Sequence, residues 1–284
     1  MSHDTDSQPT SPSWRQVSIQ FDDFPAAEHT GVAHIGPEMT RAEAAGLITS
    51  WFFIRKAPSW RFRFLPSPDS TEQDATTFIH QRLEALQDAG HIARWSETIY
   101  EPEVHTFGGD PAMDLAHHLF HQDSRHILLH LGSDRATASR GLGARRRELS
   151  ILLCGILMRG AGQDWYEQGD IWARVTENRP LPSGTPLDRL RNMEPDLRQL
   201  MISDTGPNSP LTKQNGSLTF ISDWAAAFER AGEALGDLAR DGTLRRGVRA
   251  VLAHHVIFHW NRIGLPYTTQ SILANAAKAV VLGQ

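Results

Sequence analysis

With a single cysteine in 284 residues, the chain can hold neither a disulfide framework nor a cysteine-rich metal knuckle. That cysteine sits in Ile151-Leu-Leu-Cys-Gly-Ile-Leu-Met158, whose apolar neighbours predict a buried thiol in a core helix rather than a nucleophile. No window approaches the roughly 18 uninterrupted apolar residues of a membrane-spanning helix. The opening Met1-Ser-His-Asp-Thr-Asp-Ser7 has neither the basic nor the apolar part of a secretory signal, so a cytoplasmic protein without a membrane partner is expected. Phosphate-binding glycine loops are missing: Gly141-Leu-Gly143 has no third glycine and no strand before it, and no Gly-Lys-Ser/Thr occurs, so no nucleotide cofactor is expected. There is no Gly-x-Ser-x-Gly elbow, which argues against α/β-hydrolase chemistry. Positive charge is also in short supply: a formal net charge of -5 disfavours a nucleic-acid partner and leaves only local arginine clusters as footholds for something acidic.

What is present reads as an α+β protein, an N-terminal part containing an antiparallel sheet packed with a mostly helical C-terminal part. Residues 1–13 are polar and read as a disordered tail ahead of a single domain over residues 14–284. Gln16–Phe21, Ser50–Arg55 and Trp60–Leu65 read as strands, the last two joined closely enough for an antiparallel hairpin. Along Trp60–Leu65 the aromatic residues Trp60, Phe62 and Phe64 share one face, which leaves Arg61 and Arg63 on the other. Thr71 to Gly90 has a capped helical pattern, and His91 to Val104 reads as one long strand. From Asp110 onward the pattern is helical, over about 111–131, 144–160, 163–177, 186–202, 219–240, 244–262 and 268–281. The Pro- and Gly-rich stretch 204–216 is the candidate for a mobile loop near a site.

The densest chemistry lies in Tyr100-Glu-Pro-Glu-Val-His-Thr-Phe-Gly-Gly109. Pro102 disfavours a helix, and in an extended segment Glu103 and His105 become neighbours on one face with Glu101, a candidate acid and base, while Tyr100 points the other way. A solvated edge strand is the plainer alternative. Two histidine pairs, His117 with His121 and His255 with His259, stand one helical turn apart, a spacing that can chelate zinc. No cysteine cluster or obvious third carboxylate ligand accompanies them, so no metal is expected; the imidazoles are expected to be partly buried between helices or to line a polar cleft, with His255 and His259 reaching a partly buried polar cavity. Ser124, between Asp123 and Arg125, has His121 nearby in sequence, yet a nucleophilic triad is defined by geometry and not by adjacency. Arginines cluster at Arg145, Arg146 and Arg147 and at Arg245, Arg246 and Arg249; they are either solvated faces or the docking place of an acidic peptide.

Taken in order, Trp51-Phe-Phe-Ile-Arg55, Trp60-Arg-Phe-Arg-Phe64, Tyr100-Glu-Pro-Glu103 with Phe107-Gly-Gly109, Leu119-Phe-His-Gln-Asp-Ser-Arg125 and Asn261-Arg-Ile-Gly264 resemble the C-terminal-type domain of lantibiotic dehydratases and its stand-alone relatives in thiopeptide biosynthesis. The resemblance implies one of two chemistries. One is elimination of glutamate from glutamylated Ser or Thr to give dehydroalanine or dehydrobutyrine; the other is the pyridine synthase reaction, a formal [4+2] cycloaddition of two dehydroalanines that macrocyclises the peptide. Eliminating members carry an Arg three residues after the Glu of Tyr-x-x-Glu, where this chain has Thr106, and a His four residues before the Asn of Asn-Arg, where it has Ile257. Both departures point to the pyridine synthases, with no cofactor and a leader-bearing, azole-containing precursor peptide as partner alongside other biosynthetic enzymes. On this resemblance Glu103, His105, Tyr100, His255 and His259 are the candidate catalytic residues. Arg55, Arg61, Arg63, Trp51, Trp260, Asn261, Arg262 and Ser124 would hold the substrate, the tryptophans by packing on azole rings. At least one of the two arginine clusters would hold an acidic leader, remote from the chemistry. A split glutamate-elimination enzyme and a non-catalytic peptide-binding subunit are the alternatives.

Overall fold

Alternating apolar and polar residues give this chain its sheet, and helical periodicity gives it nearly everything else. The computed structural model describes residues 13–137, 142–205, 209 and 218–283. The 1–13 tail lies almost wholly outside the described residues, as does most of the 204–216 loop. The chain divides into two compact units, Met1–Glu101 and Pro102–Gln284.

The N-terminal unit runs β1 (Arg15–Gln20), α1 (Ala27–Thr30), a turn of π-helix (Gly31–Ile35), α2 (Gly36–Ala44), β2 (Ile48–Lys56), β3 (Ser59–Pro66), α3 (Glu72–Asp88) and β4 (Arg94–Thr98). Its four strands form an antiparallel sheet in the order β2-β3-β1-β4. Register places Trp51 opposite Phe64, Phe53 opposite Phe62 and Arg55 opposite Trp60, so one face carries an aromatic ladder. Phe53 stacks on Trp60 at 4.9 Å between centroids, and this face is continued by Val17 and Ile19, both buried. Met39 and Ala42 from α2 and Ala75, Ile79 and Leu83 from α3 complete the core. Helix α3 starts where Thr71 accepts a hydrogen bond from the Asp74 amide at 3.0 Å, an N-cap legible in the sequence.

One sequence expectation fails here. Instead of a single strand from His91 to Val104, β4 ends at Thr98, and Val104–Phe107 forms a short helical turn, α4, with Glu103 as its N-cap. Pro102 has no amide hydrogen to give a ladder. The two glycines close a helical turn rather than stopping a strand: Gly108 and Gly109 adopt φ of 96° and 110°. A Cβ on Gly108 would also lie 2.6 Å from Leu244 Cδ1, so this left-handed cap accepts no other residue without strain. Glu103 and His105 therefore do not share a strand face.

The C-terminal unit continues through α5 (Asp110–Thr137), α6 (Leu142–Gly160), α7 (Trp165–Asn178), α8 (Leu187–Met201), a 3-10 turn (Thr219–Ile221), α9 (Ser222–Arg240), α10 (Val248–Ile263) and α11 (Tyr267–Leu282). Helices α6 and α9 come so close that a Cβ on Gly232 would lie 2.3 Å from the Leu157 carbonyl oxygen; only a glycine permits that approach. A capping box starts α7: the Glu167 amide donates to Asp164 Oδ1 at 2.8 Å, and the Asp164 amide donates to Glu167 Oε2 at 2.9 Å. Cys154 is buried in α6, where burial first and the Asp123 carboxylate second push its thiol pKa well up, which removes it as a nucleophile. No helix among the described residues is long and apolar enough to cross a membrane.

Candidate functional site

The C-terminal unit is fastened at its centre by Asp123 of α5, which is 0% exposed. Both carboxylate oxygens lie 3.0 Å from Nδ1 of His259 on α10. Arg262 Nε, one turn later, donates to Oδ2 at 2.8 Å, and Trp224 Nε1 of α9 donates to Oδ1 at 2.9 Å. Burial alone would raise the Asp123 pKa, but His259 and Arg262 outweigh it and hold the carboxyl below its ordinary range. The Arg262 guanidinium also lies 4.3 Å from the centroid of the Phe120 ring. The network joins three helices, with Ser124 buried beside it in sequence. Asp123 finds its imidazole in His259 rather than in the sequence neighbour His121.

His255, one turn before His259, is 3% exposed, and neither ring nitrogen has a hydrogen-bond partner. Phe107 meets the ring edge-on at 5.0 Å and Phe120 lies at 5.9 Å. Burial first, and the nearby Arg262 charge second, push its pKa down to about 3. The two imidazoles expected to line a polar cavity are thus enclosed, one on a carboxylate and one among aromatic rings. Trp260, between them and Asn261, is fully buried and stacks on Trp172 at 5.9 Å. Among the described residues no group of three or more His, Cys, Asp or Glu is arranged to hold a metal ion.

The outward face of α10 is different. Ala250, His254, Phe258 and Asn261 are half-buried along it, while the residues between them are buried. His254 Nδ1 lies 3.3 Å from the Ala250 carbonyl oxygen. Around this face Arg246 Nη1 donates to the Thr106 carbonyl at 2.7 Å, and Arg179 Nε donates to Gln270 Oε1 at 2.6 Å. Gln270 in turn donates to Asn261 Oδ1 at 3.0 Å, and the Arg179 guanidinium sits 5.3 Å from the Tyr267 ring centroid. Glu103 and His105 are exposed, and the Glu103 charge reaches His254. This is the half-open cluster of the unit: a carboxylate, an imidazole, two guanidiniums and an amide pair. His254 carries no distinguishing mark of its own in the sequence, because adjacent histidines in an apolar helix do not reveal which one faces out. Its spacing to Phe258 and Asn261, one and two turns on, is the signal that pairs it with the open face.

In the N-terminal unit, Arg63 is buried: its Nε donates to Gln16 Oε1 at 2.7 Å, and its guanidinium lies 4.4 Å from the Tyr100 ring centroid and 5.1 Å from that of Phe52. Trp14 meets Tyr100 edge-on at 6.4 Å, and a cleft of about 380 Å³ opens there, lined by Trp14, Arg15, Glu97, Ile99 and Tyr100 among others. Arg61 shares the sheet face of Arg63 but is only half-buried. Arg55 lies on the opposite, aromatic face, paired to Glu28 at 2.6 Å and 4.5 Å above Trp60. Trp51 is 1% exposed and donates from Nε1 to Glu43 Oε2 at 2.9 Å.

The six clustered arginines have separate fates. Arg146 Nη1 donates to the Ile263 carbonyl at 3.2 Å, at the end of α10. Arg249 pairs with Asp170 and, at 3.7 Å, with Glu167. Arg245 and Arg246 line a notch of about 320 Å³ ahead of α10. Arg145 and Arg147 are exposed, and Arg147 lines a cleft of about 470 Å³ with Asn192, Met193, Thr269, Ile272 and Leu273.

Comparison with known proteins places these features in context. The family described as lantibiotic biosynthesis dehydratase C-term matches residues 14–281. Among solved structures, the tRNA-dependent lantibiotic dehydratase MibB from Microbispora sp. 107891 is similar at a TM-score of 0.69 and 18% identity, covering 97% of this chain and 28% of that one. TsrL is similar at a TM-score of 0.62 and 16% identity, covering 95% of this chain and 98% of that one. The pyridine synthase TbtD from thiomuracin biosynthesis is similar at a TM-score of 0.56 and 14% identity, again covering 95% and 98%. At these identities the likeness is one of fold. No curated protein matches in sequence.

Proposed function

The chain belongs to the lantibiotic dehydratase C-terminal family, and from that premise we propose that it is a pyridine synthase, which macrocyclises a dehydroalanine- and azole-containing precursor peptide by a formal [4+2] cycloaddition. The observation that carries this reading is what stands at the two glutamate-handling positions. Thr106 offers a hydroxyl where an eliminating enzyme would place a guanidinium, and Ile257 is an apolar side chain, 6% exposed, where it would place an imidazole. Neither supplies the positive charge or the imidazole proton that would hold and protonate a departing glutamate.

The reaction requires one dehydroalanine amide to become a hydroxy-imine, so that its alkene and the new C=N form a 2-azadiene. A second dehydroalanine then adds across the diene, and loss of water and of the leader peptide as an amide leaves an aromatic ring. Proton transfers and alignment are the whole task, which positioned side chains can perform without a metal or nucleotide. Glu103 and His105, exposed around the α4 turn, are the candidate acid and base of the C-terminal unit. In the N-terminal unit Tyr100, Arg61 and Arg63 are the candidates for orienting peptide carbonyls. Asp123, His259 and Arg262 act by holding α10 in place.

One observation favours glutamate elimination instead: Arg246 brings a guanidinium to the Thr106 carbonyl, near where the missing arginine would act. Incubation with a leader-bearing, dehydrated, azole-containing peptide separates the readings by mass. A macrocycle plus free leader amide supports cycloaddition; release of glutamate from a glutamylated peptide supports elimination; binding without any mass change supports a non-catalytic subunit.

A further inference from the structure

We infer that His254 performs the amide-to-hydroxy-imine proton shift on the bound peptide, leaving Glu103 and His105 as acid and base for the later losses of water and leader, an assignment that rests on the pyridine synthase reading and adds a residue to it. Helix α10 carries three histidines, and the packing of its neighbours separates them. His255 and His259 are 3% and 2% exposed, whereas His254 shares the half-open face with Phe258 and Asn261. Only His254 can meet a ligand without the helix moving.

Its tautomer follows from its partner. A carbonyl oxygen can only accept, so the contact of Nδ1 with the Ala250 carbonyl at 3.3 Å puts the hydrogen on Nδ1 and the lone pair on Nε2. The charged groups facing the ring are Glu103 ahead of α4, Arg246 ahead of α10 and Arg179 at the end of α7, and Phe107 stands 6.3 Å away with its ring turned edge-on. Burial is the largest influence and lowers the pKa; the Ala250 carbonyl opposes it, Arg246 lowers the pKa further, Glu103 raises it and Arg179 lowers it, with a net fall. At neutral pH the ring is therefore uncharged and basic at Nε2, the form a general base needs.

The step balances within this one group. Nε2 takes the N–H proton of the dehydroalanine amide, and the imidazolium so formed returns it to the carbonyl oxygen of the same amide. The product is the hydroxy-imine, with no change in oxidation state and no co-reactant. The Arg246 and Arg179 guanidiniums, whose charges reach the ring, can hold carbonyl groups of the peptide during the transfer by donating hydrogen bonds.

The test uses the full chain labelled with nitrogen-15 histidine, with His254→Gln identifying the His254 signals. Adding the dehydrated azole peptide should move the His254 Nε2 resonance. His254→Gln should lower kcat by about 100-fold while KM changes by less than about threefold. The wild-type rate should fall as pH drops below the ordinary histidine range, and this acid limb should vanish in the variant. His118→Gln, on the exposed side of α5, should behave as wild type. Product mass reports on the reaction class separately: glutamate release overturns the cycloaddition reading while the His254 measurements still decide this assignment. A His254 signal unmoved by saturating peptide, or His254→Gln turning over at the wild-type rate, overturns it.

Discussion

His259 Nδ1 lies 3.0 Å from both carboxylate oxygens of Asp123, a residue 136 positions earlier in the chain, with the two side chains 2% and 0% exposed. Arg262 completes the pairing at 2.8 Å. Removing one member of such a buried group strands the charge of another.

Asp123→Asn should therefore cost about 3 to 5 kcal/mol of stability, read as a lower urea midpoint with an unchanged slope. Arg262→Met in the same chain should recover part of the loss, because it removes the stranded cation. A single Asp123→Asn variant within about 1 kcal/mol of wild type would show that the network does not hold the helices.

Acid should weaken the fold through His255. Its folded pKa of about 3 lies below the ordinary 6.5, so below pH 6.5 the unfolded chain takes up a proton that the folded chain refuses. Stability is thus complete above 6.5 and is lost as pH falls toward 3, by about 2 kcal/mol at pH 5. His34, His126 and His254 are lowered too and pull the same way. The gap between urea midpoints measured at pH 7.5 and 5 should narrow in His255→Leu, the remainder belonging to the other three; an undiminished gap would place the acid sensitivity elsewhere.

Glu103→Gln should slow turnover and leave the fold intact, since Glu103 is exposed. Its charge raises the His254 pKa, so the variant's acid limb should also shift to lower pH. An unchanged rate and pH profile would remove Glu103 from the site.

For leader binding, Arg147 is the arginine to change. It lines the cleft formed with Asn192, Met193, Thr269, Ile272 and Leu273, and among the described residues it forms no ion pair, whereas Arg249 is already matched by Asp170 and Glu167. Arg147→Glu should raise the apparent Kd of an acidic leader about tenfold and flatten its salt dependence, with a smaller effect for Arg249→Glu. Equal effects, or none, would move the leader away from this cleft.

Much of the architecture was legible locally. Strand alternation placed β1, β2 and β3 within two residues of their observed ends, and the arginine and aromatic faces of β3 separated as the period of two requires. Helix α3 followed from a Thr71 cap and a closing glycine. The acidic segment is locally ambiguous, because Pro102 and Gly108-Gly109 are compatible with either a stopped strand or a one-turn helix. Contact of Gly108 with Leu244, far along the chain, belongs to the second.

The sequence by itself determined which residues alternate, which repeat every turn and where caps and glycines interrupt, because those preferences act over a few neighbouring residues. It also supplied the family motifs, from Trp51 to Asn261. Only tertiary structure decided that His255 and His259 turn inward while His254 faces out, that Asp123 takes His259 and Arg262 as partners, and that Arg249 is neutralised while Arg147 lines a cleft. The physical reason is that burial and pairing depend on side chains brought from other helices, and an apolar helix such as α10 carries no local mark of which face its neighbours will cover.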